Sequence, residues 1–309
     1  MSCSEPRRAL PENTWPHTDL YRRVREALLS LPSYFRTLTV IEGISATDIF
    51  TLNSALGATI EAQVVSTLNQ MRNVWDPDER YQPYSFVRQP QTFPDVLLQR
   101  ADDADGAGDR ILLGIELKGW YLLAKEKEPS FRFTVTPAAC ALPDLIAVVP
   151  WVLSNVIAGS PRALAPYLES ARYAAEYRNY WWSALRDAQG SREIRQPAPV
   201  SPYPAKRDRI ADVPESDGGD NFGRFARTGL MEAYKVRVMQ EPICGISAEH
   251  WLAFFKVFQQ GKGEAELRKA LASLQSRIQK ALPAAEASPL LQSAAVILDG
   301  LERLVRAGL

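Results

Sequence analysis

Histidine and cysteine are scarce in this 309-residue chain, which holds only His17 and His250, and Cys3, Cys140 and Cys244. Two histidines so far apart exclude a histidine-rich metal centre, and each reads as a surface or packing residue. The cysteines are odd in number and widely spread, which suits reduced thiols better than a disulfide framework. Net charge is lacking too, because 36 Lys and Arg balance 36 Asp and Glu. No global basic field announces a polyanionic partner, so a nucleic-acid role has to rest on local patches. Uninterrupted apolar runs long enough to cross a bilayer are also missing, and Met1-Ser2-Cys3-Ser4-Glu5-Pro6-Arg7-Arg8 lacks the apolar stretch of a signal peptide. These absences lead us to expect a cytoplasmic protein with no membrane partner.

Apolar residues make up 46% of the chain, enough to bury a substantial core. An amphipathic run over residues 20–31 stops before Pro32 and predicts a lead-in helix. Leu56, Ile60, Val64, Leu68 and Met71 recur at intervals of three and four, as a helix over residues 54–74 requires. Phe93-Pro94-Asp95-Val96-Leu97-Leu98 reads as a short strand opened by proline, followed by an aspartate-rich turn over residues 101–109. Further strands are expected at 111–118, 131–135 and 145–149. A long helix over 162–186 carries Tyr167, Tyr173, Tyr177, Tyr180, Trp181 and Trp182, read as packing rather than base stacking. The fold class expected is α/β of the α+β kind, a central mixed sheet flanked by helices. The divisions are a lead-in helix over 1–40, a core over 41–240 with an irregular Pro-rich excursion over 188–220, and a helical extension over 241–309 packed on the core.

Within Ile111-Leu112-Leu113-Gly114-Ile115-Glu116-Leu117-Lys118, alternation puts Glu116 and Lys118 on one sheet face and Leu113, Ile115 and Leu117 on the other. If the intervening turn centres near Asp105, the two strands pair antiparallel and Asp95 falls opposite position 115 or 116. Two carboxylates and an ammonium then converge. Phosphodiester hydrolysis needs a hard cation to neutralise charge on phosphate and to lower the pKa of the attacking water, and carboxylates suit Mg2+ best. Asp95 and Glu116 fit that duty, while Lys118 is placed to orient or help deprotonate the water. The alternative is a cross-strand Lys–carboxylate pair with no catalysis. That alternative leaves Glu116 in an apolar strand without a compensating gain.

The pattern resembles the PD-(D/E)XK nuclease superfamily, matched by Pro94-Asp95 and, one strand later, Glu116-Leu117-Lys118, over roughly residues 50–150. The superfamily often places a glutamate on the preceding helix, where this chain has Glu61. Small or apolar Gly57, Ala58, Val64 and Val65 around it predict that it faces inward. The resemblance implies a restriction-endonuclease-like fold, Mg2+ held by Asp95 and Glu116, and a catalytic set of Asp95, Glu116, Lys118 and Glu61. With no helicase, methylase or zinc motif, the chain is similar to type II restriction endonucleases, which implies a homodimer cutting double-stranded DNA. Asn221, Arg224 and Arg227, the two arginines on one helix face, are candidates for reading bases, with Lys206 and Arg207 as candidates for phosphate contact. Two alternatives stay open: a structure-specific repair or recombination nuclease, and a non-catalytic DNA-binding protein on a nuclease-like scaffold.

Overall fold

The structure, a computed structural model, describes residues 4–44, 48–89, 92–101, 109–187, 190–217, 221–258, 265, 266, 268, 269, 272, 273 and 276. The lead-in helix α1, Thr18–Leu29, buries Leu20, Tyr21, Val24, Ala27 and Leu28 along one stripe and turns its arginines outward. After Ser30 a short helix α2, Leu31–Tyr34, begins with Pro32 in its first turn, where the missing N–H costs nothing. The next helix, α3, spans Leu52–Gln70 and is followed by the single turn α4, Arg72–Trp75.

The sheet has six strands: β1 (Tyr84–Arg88), β2 (Val96–Arg100), β3 (Ile111–Tyr121), β4 (Leu145–Leu153), β5 (Pro161–Ala163) and β6 (Tyr167–Ser170). Its order is β1-β2-β3-β4-β5, with β6 also paired to β4. The β3–β4 pair alone is parallel, so the sheet is mixed, and that pair is joined by a long crossover over residues 122–144 as parallel pairing requires. Every residue of β4 is buried, the mark of a central strand covered on both faces. Helix α3 packs on β1 and β3, and helix α5, Ala171–Tyr180, packs on β4 and β6. Asn69 locks α3 to the edge strand, donating to the Phe86 carbonyl at 2.9 Å and accepting from the Phe86 amide at 2.9 Å. The turn inferred near Asp105 lies outside the described residues, yet the β2–β3 register shows that the two strands fold back antiparallel.

Three expectations are corrected. Residues 131–135 do not join the sheet, making only the single bridges Arg132 to Arg224 and Val135 to Ala211. The buried Arg178 guanidinium takes their carbonyls, reaching Phe133 O at 2.7 Å and Val135 O at 3.1 Å, and pairs with Asp212 at 2.5 Å. The single helix over 162–186 is instead β5, β6, α5 and one π-helical turn, Trp181–Leu185. Pro166 has no N–H and disfavours helix at Ala165, so the chain stays extended until Ser170 caps α5 by accepting from the Tyr173 amide at 3.3 Å. Arg224 and Arg227 do not share a helix face. Only the 3₁₀ turn Phe225–Arg227 forms there, and Arg224 precedes it in extended conformation.

The excursion is closed by a two-stranded ribbon, β7 (Ile194–Arg195) with β8 (Val213–Pro214). Helix α6, Glu232–Met239, leads to the hairpin β9 (Pro242–Ile243) and β10 (Ile246–Ser247). Cys244 and Gly245 both take positive φ, as a two-residue hairpin turn requires. Helix α7, Ala248–Phe258, then adds Trp251, Leu252, Phe254 and Phe255 to the same buried cluster that begins at Leu20. The rest of the expected helical extension lies almost entirely outside the described residues. Among the described residues no helix is long and apolar enough to cross a membrane.

Candidate functional site

The site forms where β2 and β3 part. Val96 pairs with Ile115, so the register carries Asp95, just ahead of β2, to the position across from Glu116. From Glu116 onward β3 continues to Tyr121 beside β4, but β2 no longer accompanies it. Its amides at Leu117, Gly119 and Tyr121 would be orphaned on the vacated edge, at a cost comparable to a lost hydrogen bond each. Side chains take them instead. Leu117 N donates to Asp95 Oδ2 at 3.1 Å, Gly119 N to Glu61 Oε1 at 3.2 Å, and Tyr121 N to Asn53 Oδ1 at 2.9 Å.

Helix α3 reaches this edge by crossing β3 at a pair of glycines. A Cβ built on Gly119 would lie 3.5 Å from Gly57 O and 3.8 Å from Gly57 Cα, ordinary van der Waals contact that places the two backbones side by side. One turn on, Glu61 faces inward as its small and apolar neighbours predicted. Arg88 Nη2 stands 4.0 Å from its second oxygen. Burial raises the Glu61 carboxyl above its ordinary range, opposed by the Gly119 amide and by Lys118.

Lys118 sits between the two strand carboxylates, with Nζ 2.9 Å from Asp95 Oδ2 and 3.4 Å from Glu116 Oε1. Alternation along β3 therefore places Glu116 and Lys118 on one face as expected. The Glu116 side chain is 11% exposed, against 30% for Asp95 and 24% for Lys118, so the pair lies at the mouth of the site and Glu116 below it. Burial first, and then the charge of Asp95, push the Glu116 carboxyl up to about 7, with Lys118 and the Asp95 amide offsetting only part of this. Burial pulls the Lys118 ammonium down, but Glu116 and Asp95 outweigh it and leave the group above its ordinary value. Three carboxylates thus surround one ammonium, and the deepest of them is poorly compensated.

Asp95 and Glu116 line a cleft of about 290 Å³ together with Thr92, Phe93, Pro204, Ala205, Lys206, Asp208 and Ile210. The long irregular excursion thus returns to the carboxylates and brings Lys206 with it. Lys206 and Arg207 occupy the middle of a turn closed by Asp208 N to Ala205 O at 2.9 Å and by Ala205 N to Asp208 Oδ2 at 2.8 Å. Arg207 is exposed at the tip and does not line the cleft. The other basic candidates do not line the cleft. Arg227 bonds to Glu128 at 3.1 Å and to Asn221, and Arg224 is half-buried beside Arg132.

Among the described residues no group of three or more His, Cys, Asp or Glu side chains is arranged to hold a metal ion. The donor set that is present is the pair Asp95 and Glu116 at one cleft. One or two carboxylates completed by water and substrate phosphate are enough for Mg2+, which rarely uses an all-protein cage. Sequence reasoning missed Asn53, Arg88, Tyr203 and Asp144. Asp144 had a legible signal, because Pro143-Asp144 opens β4 just as Pro94-Asp95 opens β2. Its carboxylate is fully buried and accepts from Gly114 N at 2.7 Å, Ala141 N at 2.7 Å and Tyr203 Oη at 3.2 Å. Comparison of the chain with protein-family profiles, curated proteins and solved structures returns no match in any of the three.

Proposed function

We propose that this chain is a magnesium-dependent endonuclease that hydrolyses phosphodiester bonds in double-stranded DNA, with a PD-(D/E)XK arrangement and the sequence specificity of a type II restriction enzyme. The observation that carries the reading is the convergence of Asp95, Glu116 and Lys118 within ion-pair distance where β2 and β3 separate, with the two carboxylates lining a cleft. Asp95 and Glu116 are the residues that would hold the cation. When bound, it neutralises phosphate charge and makes a coordinated water acidic enough to attack.

The chain's own residues supply the rest. Glu116 is a buried carboxylate short of positive charge, the environment that favours uptake of a cation. Lys118, fixed by Asp95, holds an ammonium beside the two carboxylates, where it orients a water and offsets charge developing on phosphate oxygens. Glu61, bound to the Gly119 amide, holds the edge of β3 that presents Lys118. One such site cuts one strand, so we also propose a two-fold homodimer as the species that cuts both.

A second reading has its own support. Asp95 and Glu61 both cap backbone amides, so the cluster could serve only to seal the open edge of β3 in a non-catalytic DNA-binding protein. That reading gives no use to a glutamate placed where burial and Asp95 oppose its charge. Incubation with plasmids of known sequence and Mg2+ separates the readings. Discrete fragments support a sequence-specific endonuclease, cutting only at junctions or flaps supports a repair nuclease, and intact DNA supports the non-catalytic protein.

A further inference from the structure

The segment over 203–212 is pinned at both ends, and each anchor reaches an element of the site. At one end Tyr203 Oη donates to Asp144 Oδ1 at 3.2 Å, and the same oxygen accepts from Gly114 N at 2.7 Å. Gly114 lies on β3 two residues before Glu116, and Asp144 stands just ahead of Leu145, which pairs with Ile115. The hydroxyl of Tyr203 is therefore two hydrogen bonds from the strand that carries Glu116 and Lys118. At the other end Thr136 N donates to Ile210 O at 2.7 Å and Asp212 N to Thr134 O at 2.8 Å, while Asp212 pairs with the buried Arg178.

Between these anchors the only exposed cation that lines the cleft is Lys206, carried by the turn over 205–208 into the same lining as Asp95 and Glu116. Asp208 lines the cleft as well, but its carboxylate is turned back on the Ala205 amide. Tyr203 itself adopts φ +56°, a left-handed conformation that a bulky residue takes only when its surroundings impose it. The surroundings here are a buried carboxylate with two amides already bound, a rigid acceptor for the tyrosine hydroxyl. Gly114 is hemmed in by both Asp144 and the 94–95 corner: a Cβ there would lie 2.2 Å from Pro94 Cγ and 2.9 Å from Asp144 Oδ1. The anchor and the carboxylates thus share one tightly packed block.

We infer that Tyr203, docked on Asp144, is a positioning residue that holds the Lys206 ammonium across the cleft from Asp95 and Glu116, where it binds a backbone phosphate of the nucleic acid. This inference rests on the nuclease reading for its substrate, but not on turnover. A cleft of about 290 Å³ lined by one lysine and by the two carboxylates offers a phosphate a cation as well as the carboxylate pair. The cation side takes its oxygens and the carboxylate side awaits a metal.

Binding of a fluorescent 20-bp duplex in Ca2+, cleavage of the same duplex in Mg2+, and amide hydrogen exchange over 203–212 test the inference on the full chain. Lys206→Ala should weaken binding about tenfold, as for loss of one charge-assisted contact, and lower the slope of log affinity against log salt by about 1, with exchange unchanged. Tyr203→Phe should speed exchange over 203–212, weaken binding in the same direction and raise KM with kcat retained. The double variant should bind no more weakly than Lys206→Ala, because both changes remove one interaction. Additive losses, or faster exchange in Tyr203→Phe with unchanged affinity, overturn the positioning role. Unchanged affinity in Lys206→Ala, or no duplex binding by the wild-type chain, overturns the phosphate contact. Wild-type protein that binds but never cuts sinks the nuclease reading alone, and the binding and exchange data still decide the role of Tyr203.

Discussion

Glu116→Gln is predicted to inactivate the protein while making the metal-free fold more stable at alkaline pH. The Glu116 carboxyl is pushed from 4.5 to about 7, first by burial and then by Asp95. A folded-state value above the unfolded one means that the native chain binds the extra proton. Ionisation therefore costs nothing below about pH 4.5, grows between pH 4.5 and 7, and is fully present above pH 7. At about 1.36 kcal/mol per pH unit, the cost reaches roughly 3 kcal/mol as an upper bound. Gln keeps the shape and removes the charge, but it gives up the 3.4 Å contact with Lys118, which retains Asp95 at 2.9 Å. The net gain expected is about 1–2 kcal/mol at pH 8, or a Tm higher by roughly 2–5 °C, vanishing near pH 4.5. Thermal and urea unfolding of both proteins in chelator at pH 8 and pH 4.5 provide the assay. A Glu116→Gln variant less stable than wild type at pH 8 would refute the reasoning, because Glu116 would then be a structural partner of Lys118.

Lys118→Ala is expected to reduce cleavage at saturating Mg2+ by about 10²-fold or more, measured by single-turnover kinetics. Glu61→Ala should impair cleavage less than Asp95→Asn does, while costing about 1–3 kcal/mol of stability because the Gly119 amide loses its acceptor. Gly114→Ala should destabilise the fold by about 1–3 kcal/mol in urea unfolding, since its methyl group would meet Pro94 and Asp144. Sedimentation with and without a specific duplex should show two copies per DNA. A strictly monomeric complex that nicks one strand per binding event would remove the homodimer and leave the catalytic assignment standing.

The parts of the fold governed by local pattern were legible. Alternation in β3 put Glu116 beside Lys118, and the antiparallel register of β2 with β3 brought Asp95 across from Glu116. The inward turn of Glu61 followed from four small or apolar neighbours, although its target, the Gly119 amide, did not. The failures are tertiary. Residues 131–135 alternate like a strand, but Arg178, 43 or more positions away, takes their carbonyls. The aromatic content of residues 162–186 hid Pro166, which keeps the first part extended. Arg224 and Arg227 read as base-reading candidates on one helix face because sequence spacing says nothing of Glu128, 99 residues earlier in the chain, which pairs with Arg227. Lys206 could be named only as one cation in a proline-rich stretch; no local pattern connects it with the carboxylates whose cleft it lines, or Tyr203 with Asp144.

The most direct test of the central claim is digestion of a supercoiled plasmid by wild-type protein and by Asp95→Asn, purified side by side, in Mg2+ and in excess chelator. Asp95→Asn keeps an oxygen for the Leu117 amide, so the fold should persist and the comparison should report on chemistry. The account predicts linear or discretely fragmented DNA with wild-type protein in Mg2+, and intact plasmid both in chelator and with Asp95→Asn. Intact plasmid with wild-type protein in Mg2+, or cutting by Asp95→Asn at the wild-type rate, would contradict it.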